Sequence, residues 1–296
     1  MPRRGNDEEN RRKGFYGLTG VTYDLPVALL RCPACGAPFA RRENRLVCES
    51  GHCFDVARKG YVNLAPGRAP DALYTRPLFE SRRRVLESGA YAPVVQTLSR
   101  LCKAHAPNRA LLVDAGCGEG FYARSLAPLF DDIVAFDLSR EGIALASSGP
   151  KDETARRIAF LVADLTRIPV RDGAATALLD VFTPAHYAEF ARVLAPGGLL
   201  LKALPRSGYL REIRALTGKG EYDNGDVVRR LDEAGDGRFA MLAQETLTYA
   251  APLDASVRAD AVRMTPMAHT ADLSSLDLSS LSEITIDMEI IALARL

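Results

Sequence analysis

The chain has 296 residues, enough for about two domains and for a core that needs no disulfides. Apolar residues make up 47% and charged residues 25%, and no apolar run approaches the ~18–20 residues of a membrane span, which excludes disordered and membrane-spanning classes. The net charge of +1 conceals an imbalance: residues 1–109 carry 19 basic and 10 acidic side chains, residues 110–296 carry 19 and 27. Such a distribution suits either a polyanion docking on the N-terminal side or two separately solvated surfaces.

In chain order, residues 1–25 read as a charged arm with little apolar periodicity. Residues 26–66 form a compact Cys/His segment that closes in GYVNLAPGRAP, where Pro and Gly mark a linker. Residues 67–108 carry apolar side chains at spacings of three and four, and Gly89 and Pro93 divide this helical linker in two. Over 109–296, short apolar runs (LLVDAG, DIVAFDLS, IAFLVAD, TALLDVF, LLLKALP) alternate with helical stretches, and SEITIDMEIIALARL reads as a final strand. Alternation of this kind predicts an α/β fold, a parallel sheet with helices on both faces. The six cysteines do not resemble a disulfide scaffold, and the charged N-terminus is unlike a signal peptide, so a cytoplasmic location is expected.

Four of those cysteines fall between Cys32 and Cys53, in the spacing Cys32-x2-Cys35-x12-Cys48-x3-His52. Two short turns, each supplying a pair of ligands, are what a tetrahedral zinc site needs, and a full set of protein ligands makes the site structural rather than catalytic. Gly36 and Gly51 stand where such turns require positive φ, and the polar tip Arg41-Arg42-Glu43-Asn44-Arg45 suggests a hairpin between the two pairs. Cys53 is an alternative to His52 as fourth ligand; His52 is preferred, with Cys53 turned inward as a small apolar side chain. Loss of the metal is expected to destabilise residues 26–64 and to leave cofactor binding intact.

The stretch LLVDAGCGEGFYARSL runs strand, glycine loop, helix. Gly116, Gly118 and Gly120 let the backbone pass close to a ligand, and Asp114 ends the strand before them. A carboxylate there repels a pyrophosphate but suits the cationic S-adenosylmethionine. Asp137, 21 residues beyond Gly116, stands where an acid grips ribose hydroxyls, and Asp164 follows the third strand, placed to meet the adenine amino group.

Together these residues resemble the bacterial 23S rRNA guanine-N1 methyltransferases, which join a small zinc-ribbon-like module to a class I, Rossmann-like methyltransferase domain. The likeness runs through CPACGAPF, CESGHCFDVARKGYVNL, RRRVLESGAYAP, DAGCGEGFY, the Phe-Thr-Pro at 182–184 and RMTP at 263–266. It implies that Cys32, Cys35, Cys48 and His52 carry zinc, that Gly118 and Glu119 touch S-adenosylmethionine, that Tyr91 closes over it, and that Tyr209 lies near its carboxylate end. It also implies a 23S rRNA hairpin as partner, and a homodimer is kept open. The loop after Pro184 and His269 after Ala268 depart from the commoner family pattern.

Guanine N1 bears a proton, and no base for it is identified. Asp180 and His186 are conceivable, though Asp180 equally ends a strand. The zinc-proximal Arg41, Arg42, Arg45, Arg58 and Lys59, with Arg82, Arg83 and Arg84 behind them, are expected to face RNA phosphates. The competing readings are a methyltransferase for another RNA or a small molecule, and a non-catalytic RNA-binding protein retaining the fold.

Overall fold

The computed structural model describes residues 26–68, 73–149, 152–220, 237–268 and 271–296; the expected arm at 1–25, and His269, lie outside them. The first described segment is an antiparallel ribbon of β1 (Phe39–Arg42), β2 (Arg45–Cys48) and β3 (Cys53–Asp55). Phe39 pairs with Cys48 and Arg42 with Arg45, so Glu43 and Asn44 form the expected hairpin tip, with Glu43 at φ 53°. Gly36, just after Cys35, and Gly51, between Cys48 and His52, adopt φ of 78° and 83°, a conformation open to glycine without strain.

Beyond the ribbon come β4 (Val62–Asn63), α1 (Arg76–Val85) and α2 (Ala92–His105). The five apolar runs expected as strands follow as β5 (Leu111–Ala115), β6 (Asp132–Asp137), β7 (Ile158–Val162), β8 (Ala175–Val181) and β9 (Leu194–Pro205). Between them lie α3 (Phe121–Leu126), α4 (Arg140–Ala146) and α5 (Tyr187–Val193). The chain closes with α6 (Arg211–Leu216), β10 (Phe239–Pro252), α7 (Arg258–Arg263) and β11 (Glu283–Arg295). One mixed sheet has the order β10-β11-β9-β8-β5-β6-β7-β4, parallel from β9 to β4, with β11 antiparallel to both of its neighbours. Every residue of β5, β7 and β8 is buried, which is the reason these strands read as unbroken apolar runs. The order reverses at β5, with β6 on one side and β8 on the other, and ligands of such sheets bind beyond the carboxyl ends of the strands at that point.

Helices α1 and α2 belong to this body. Gly89, at φ 93°, breaks them apart and Pro93 opens the second, as expected from the sequence. Val94, Leu98 and Leu101 of α2 join Leu112, Leu179, Leu201 and Ile290 in the core on one face of the sheet. The ribbon is buried against the opposite face: Leu30, Cys32, Phe39, Leu46 and Cys48 share a single apolar cluster with Val113, Phe136, Leu161, Leu178 and Phe190. A bridge between Leu30 and Val170 and the Arg31–Asp172 ion pair, at 2.6 Å, fasten its near end, and β4 extends the sheet beside β7. Among the described residues no helix is long and apolar enough to cross a membrane.

Candidate functional site

The ribbon gathers Cys32, Cys35, Cys48 and His52 so that one ligand atom of each lies within 4.8 Å of the others. Cys35 Sγ stands 3.6 Å from Cys48 Sγ, and His52 Nδ1 stands 3.4 Å from Cys48 Sγ and 3.7 Å from Cys32 Sγ. A tetrahedron with Zn–S of about 2.3 Å and Zn–N of about 2.0 Å has edges of about 3.5–3.8 Å, so the donor set and its spacing fit zinc. Cys53 is exposed on β3 and outside this group, rather than turned inward: strand alternation sends it to the face opposite Phe54.

The carboxyl ends of β6, β7 and β8 open onto a cavity of about 380 Å³ walled by Gly116, Asp137, Asp164, Phe79, Phe182 and Thr183, among others. Gly116, at φ 74°, faces Thr183 so closely that a Cβ there would overlap the threonine side chain. Asp137 Oδ2 accepts the Gly118 N–H at 2.9 Å and Oδ1 accepts the Ser139 N–H at 2.7 Å, which clamps the glycine loop onto the start of α4. Each of these oxygens keeps a second lone pair for a ligand hydroxyl. Burial raises the Asp137 pKa against those two hydrogen bonds. Asp164, though partly desolvated, is held below the usual range by the N–H and hydroxyl of Thr166 and by Arg68.

Asp114, Gly118, Glu119 and Gly120 support this cavity from behind. Asp114 is buried at the end of β5; desolvation pushes its carboxyl up to about 7, and its Oδ2 has no hydrogen-bond partner among the described residues. Gly118 lets Phe79 of α1 close on the loop, and at Gly120 a Cβ would press into Phe160. Glu119 is buried with Oε2 unpartnered and lies 3.8 Å from Arg82 Nε.

A second cavity, of about 270 Å³, shares Tyr74, Arg82 and Phe182 with the first. Its walls are aromatic, with Tyr91, Tyr122 and Tyr209, and Met264, Thr265 and Pro266 of the RMTP stretch also line it. The Tyr91 and Tyr209 hydroxyls share a hydrogen bond of 2.6 Å, and the Phe182 and Tyr209 rings lie 5.0 Å apart. Burial pushes Tyr209 up to about 12 and raises Tyr91 well above the usual phenol value, so both keep their protons at neutral pH; one hydroxyl donates to the other and one O–H of the pair is left for a ligand. Phe182 and Leu210 adopt φ of 57° and 53°, conformations unusual for such side chains, on either side of this cavity.

Both conceivable bases are engaged elsewhere. Asp180 is wholly buried, with Lys202 Nζ donating to its Oδ2 at 2.6 Å, and neither residue lines either of these two cavities. His186 caps α5, its Nδ1 accepting the Glu189 N–H at 3.2 Å. The three linker arginines do not form the expected RNA-facing row. Arg82 turns into the cavities, Arg83 donates to Leu145 O at 2.9 Å, and Arg84 pairs with Asp260 at 2.6 Å. Residues 82–84 are consecutive on a helix packed against α4 and α7, so they fan around it and two of the three meet protein.

A family model described as "RlmA, N-terminal", a zinc ribbon, matches residues 30–69, and one described as "Methyltransferase domain" matches residues 112–198. The chain is 34% identical over 279 residues to the 23S rRNA (guanine(748)-N(1))-methyltransferase of Streptomyces fradiae, covering 88% of this chain and 95% of that one. It is 32% identical over 282 residues to a Bacillus subtilis (strain 168) protein named provisionally as a 23S rRNA (guanine-N(1)-)-methyltransferase, covering 89% and 96%. The solved geranyl diphosphate C-methyltransferase of Streptomyces coelicolor A3(2) aligns at 16% identity and a TM-score of 0.43, over 68% of this chain and 77% of that chain.

Proposed function

The chain belongs to the family of 23S rRNA (guanine-N1)-methyltransferases, and from that premise we propose how its residues divide the work. It is an S-adenosylmethionine-dependent rRNA methyltransferase with a structural zinc site in its ribbon. The observation that carries the residue assignment is the pair of cavities at the switch point of the sheet, one walled by Gly116 and two carboxylates, the other by aromatic rings, with a common seam.

In this reading Cys32, Cys35, Cys48 and His52 hold zinc. Asp137 takes the ribose hydroxyls of S-adenosylmethionine, Asp164 meets the adenine, and Asp114, Gly116, Gly118, Glu119 and Gly120 shape the loop between. Tyr91 and Tyr209 line the aromatic cavity beyond the seam, where the methionine end of the cofactor and the target base come together. When bound, S-adenosylmethionine supplies the methyl group as a sulfonium, and in-line displacement leaves the protein chiefly to align the partners and exclude water. Phe182 and Tyr209 offer flat apolar faces to a purine. Guanine N1 lies on the Watson–Crick edge, so the base must be unpaired and held out of a stack, as a hairpin loop allows. The division at 26–66, 67–108 and 109–296, cytoplasmic location and assembly as a homodimer complete the proposal; the mass in solution checks the last.

Asp137→Ala is expected to weaken S-adenosylmethionine binding by roughly tenfold to a few hundredfold, the worth of about 1.5–3 kcal/mol for charge-assisted hydrogen bonds. Equilibrium titration reads this directly, and an unchanged dissociation constant removes Asp137 from the site.

RNA recognition rests on the ribbon, since every guanine presents the same edge to a cofactor pocket. Arg42 and Arg58 are exposed there, beside Arg41, and Arg45 pairs with an exposed Asp55. Reversing the charge of Arg41 and Arg42 together is expected to lower affinity for a 23S rRNA hairpin and to flatten its salt dependence by about 0.7–0.9 for each phosphate no longer neutralised, with cofactor affinity unchanged. An unaltered salt slope moves recognition to the loops around Pro184 and Tyr209.

A further inference from the structure

We propose that Arg82 binds the carboxylate of the amino-acid end of S-adenosylmethionine, with Glu119 holding its guanidinium in place from behind. The assignment rests on the cofactor reading above and extends it to the one charged group of the ligand that the carboxylate-lined cavity cannot hold. Asp137 and Asp164 repel a second carboxylate, so the amino-acid end must leave that cavity toward a cation.

The residues lining the two cavities include two cations, Arg82 and Arg214. Arg214 is spent on the backbone: its guanidinium donates to the carbonyls of Ser207 and Tyr209 and so shapes the loop that carries Tyr209. Of these two cations only Arg82 lines both spaces. Its neighbours on α1 are engaged by protein groups, Arg83 by the carbonyls of Leu145 and Glu119 and Arg84 by Asp260. The ion pair Arg82 makes among the described residues is a long one, 3.8 Å from Nε to Glu119 Oε2, and that oxygen accepts no hydrogen bond.

The exposures of the pair differ in the way an anchor requires. The Glu119 side chain is 2% exposed and Arg82 is 25% exposed, the latter against the cavities it lines. The carboxylate therefore fixes the guanidinium from the protein side and leaves its fork turned to the ligand side. A planar fork of N–H donors matches a carboxylate bidentately. The hydrogen-bonded Tyr91–Tyr209 pair lines the same cavity and keeps one O–H that can reach the carboxylate as a further donor. Several bonds separate the carboxylate from the sulfonium, so a guanidinium that neutralises the former is kept at a distance from the latter.

The test uses the full chain and two probes, S-adenosylhomocysteine and 5′-deoxy-5′-methylthioadenosine, which share the adenosine and thioether and differ in the amino-acid end. Calorimetric titration of Arg82→Met is expected to show S-adenosylhomocysteine binding weakened about 10- to 100-fold while methylthioadenosine binding stays as in the unaltered protein. Arg82→Lys keeps the charge without the fork and falls between the two. Glu119→Gln, acting through Arg82, is expected to weaken S-adenosylhomocysteine alone, and adding it to Arg82→Met costs nothing further. Equal loss of both probes in Arg82→Met and Arg82→Lys overturns the proposal, because the role is then structural. Unchanged S-adenosylhomocysteine affinity also overturns it, and loss of RNA affinity in that protein instead assigns Arg82 to a phosphate. Failure of the unaltered chain to bind S-adenosylhomocysteine is a separate result, which removes the cofactor reading itself.

Discussion

Cys48→Ser is expected to give a zinc-free protein whose unfolding midpoint falls by roughly 10–20 °C. Structural zinc binds small modules with about 10–16 kcal/mol of apparent free energy; losing about 5 kcal/mol of it moves the midpoint of a domain this large by about 2–4 °C per kcal/mol. The damage is expected to extend beyond the ribbon. Cys32 and Cys48 lie in the same apolar cluster as Leu161, Leu178 and Phe190 of the methyltransferase sheet, and Leu30 bridges Val170. Cofactor binding should therefore weaken with the metal, contrary to the independence that sequence reading expects of a small Cys/His module. Metal analysis and calorimetry check this. A main transition and cofactor affinity that stay in place while the ribbon alone melts would show that the shared core does not couple them.

Lys202→Met carries the second large effect. It leaves Asp180 buried under the Phe182–Thr183 turn without its cation, and breaking one side of a buried pair costs about 3–5 kcal/mol. Lys202 also donates to the Thr183 carbonyl at 3.2 Å, so the strained Phe182 beside the cavity seam loses a support and activity should fall with stability. The pH dependence has a definite sign. Burial holds the Asp180 pKa at about 6, above the 3.8 of a free carboxyl, even against Lys202. The folded chain thus binds this proton more tightly than the unfolded one, so the contribution of Asp180 is present at low pH and is lost as pH rises from about 4 to 6. Without Lys202 the folded pKa moves higher, and the stability gap between variant and unaltered protein widens with pH up to neutrality. Replacing both residues by apolar ones, Asp180→Leu with Lys202→Met, should recover much of the stability but not the turn. A gap that does not change with pH would show that the carboxyl stays neutral in both proteins.

The parallel half of the sheet was legible because its strands are buried on both faces and leave unbroken apolar runs between helical stretches. Strand β10 was not, since it forms an edge of the sheet and its half-exposed sequence, AQETLTYA, mixes polar and apolar side chains in the way of a loop. Strands β3 and β4 are three and two residues long and leave no periodicity to read. The glycine loop and the acids ending consecutive strands pointed by their spacing to the cavity that Gly116, Asp137 and Asp164 line. Arg82 gave no such signal. Three consecutive arginines look alike in a sequence, and only the direction each takes around α1 separates the one that lines the cavities from two that meet protein groups. Asp180 shows the converse: its position after a strand suggests chemistry, and its partner Lys202, on the next strand, is visible only once β8 and β9 are paired.

The bridge between Leu30 and Val170 also sets a timetable for the growing chain. The last zinc ligand, His52, leaves the ribosome about 120 residues before Val170 does, so at ~5–20 residues per second the ribbon waits roughly 6–24 seconds for the strand ends that cover its apolar back. During that interval the metal alone keeps Leu30, Phe39 and Leu46 organised, and a newborn chain made in zinc starvation presents them bare to its neighbours.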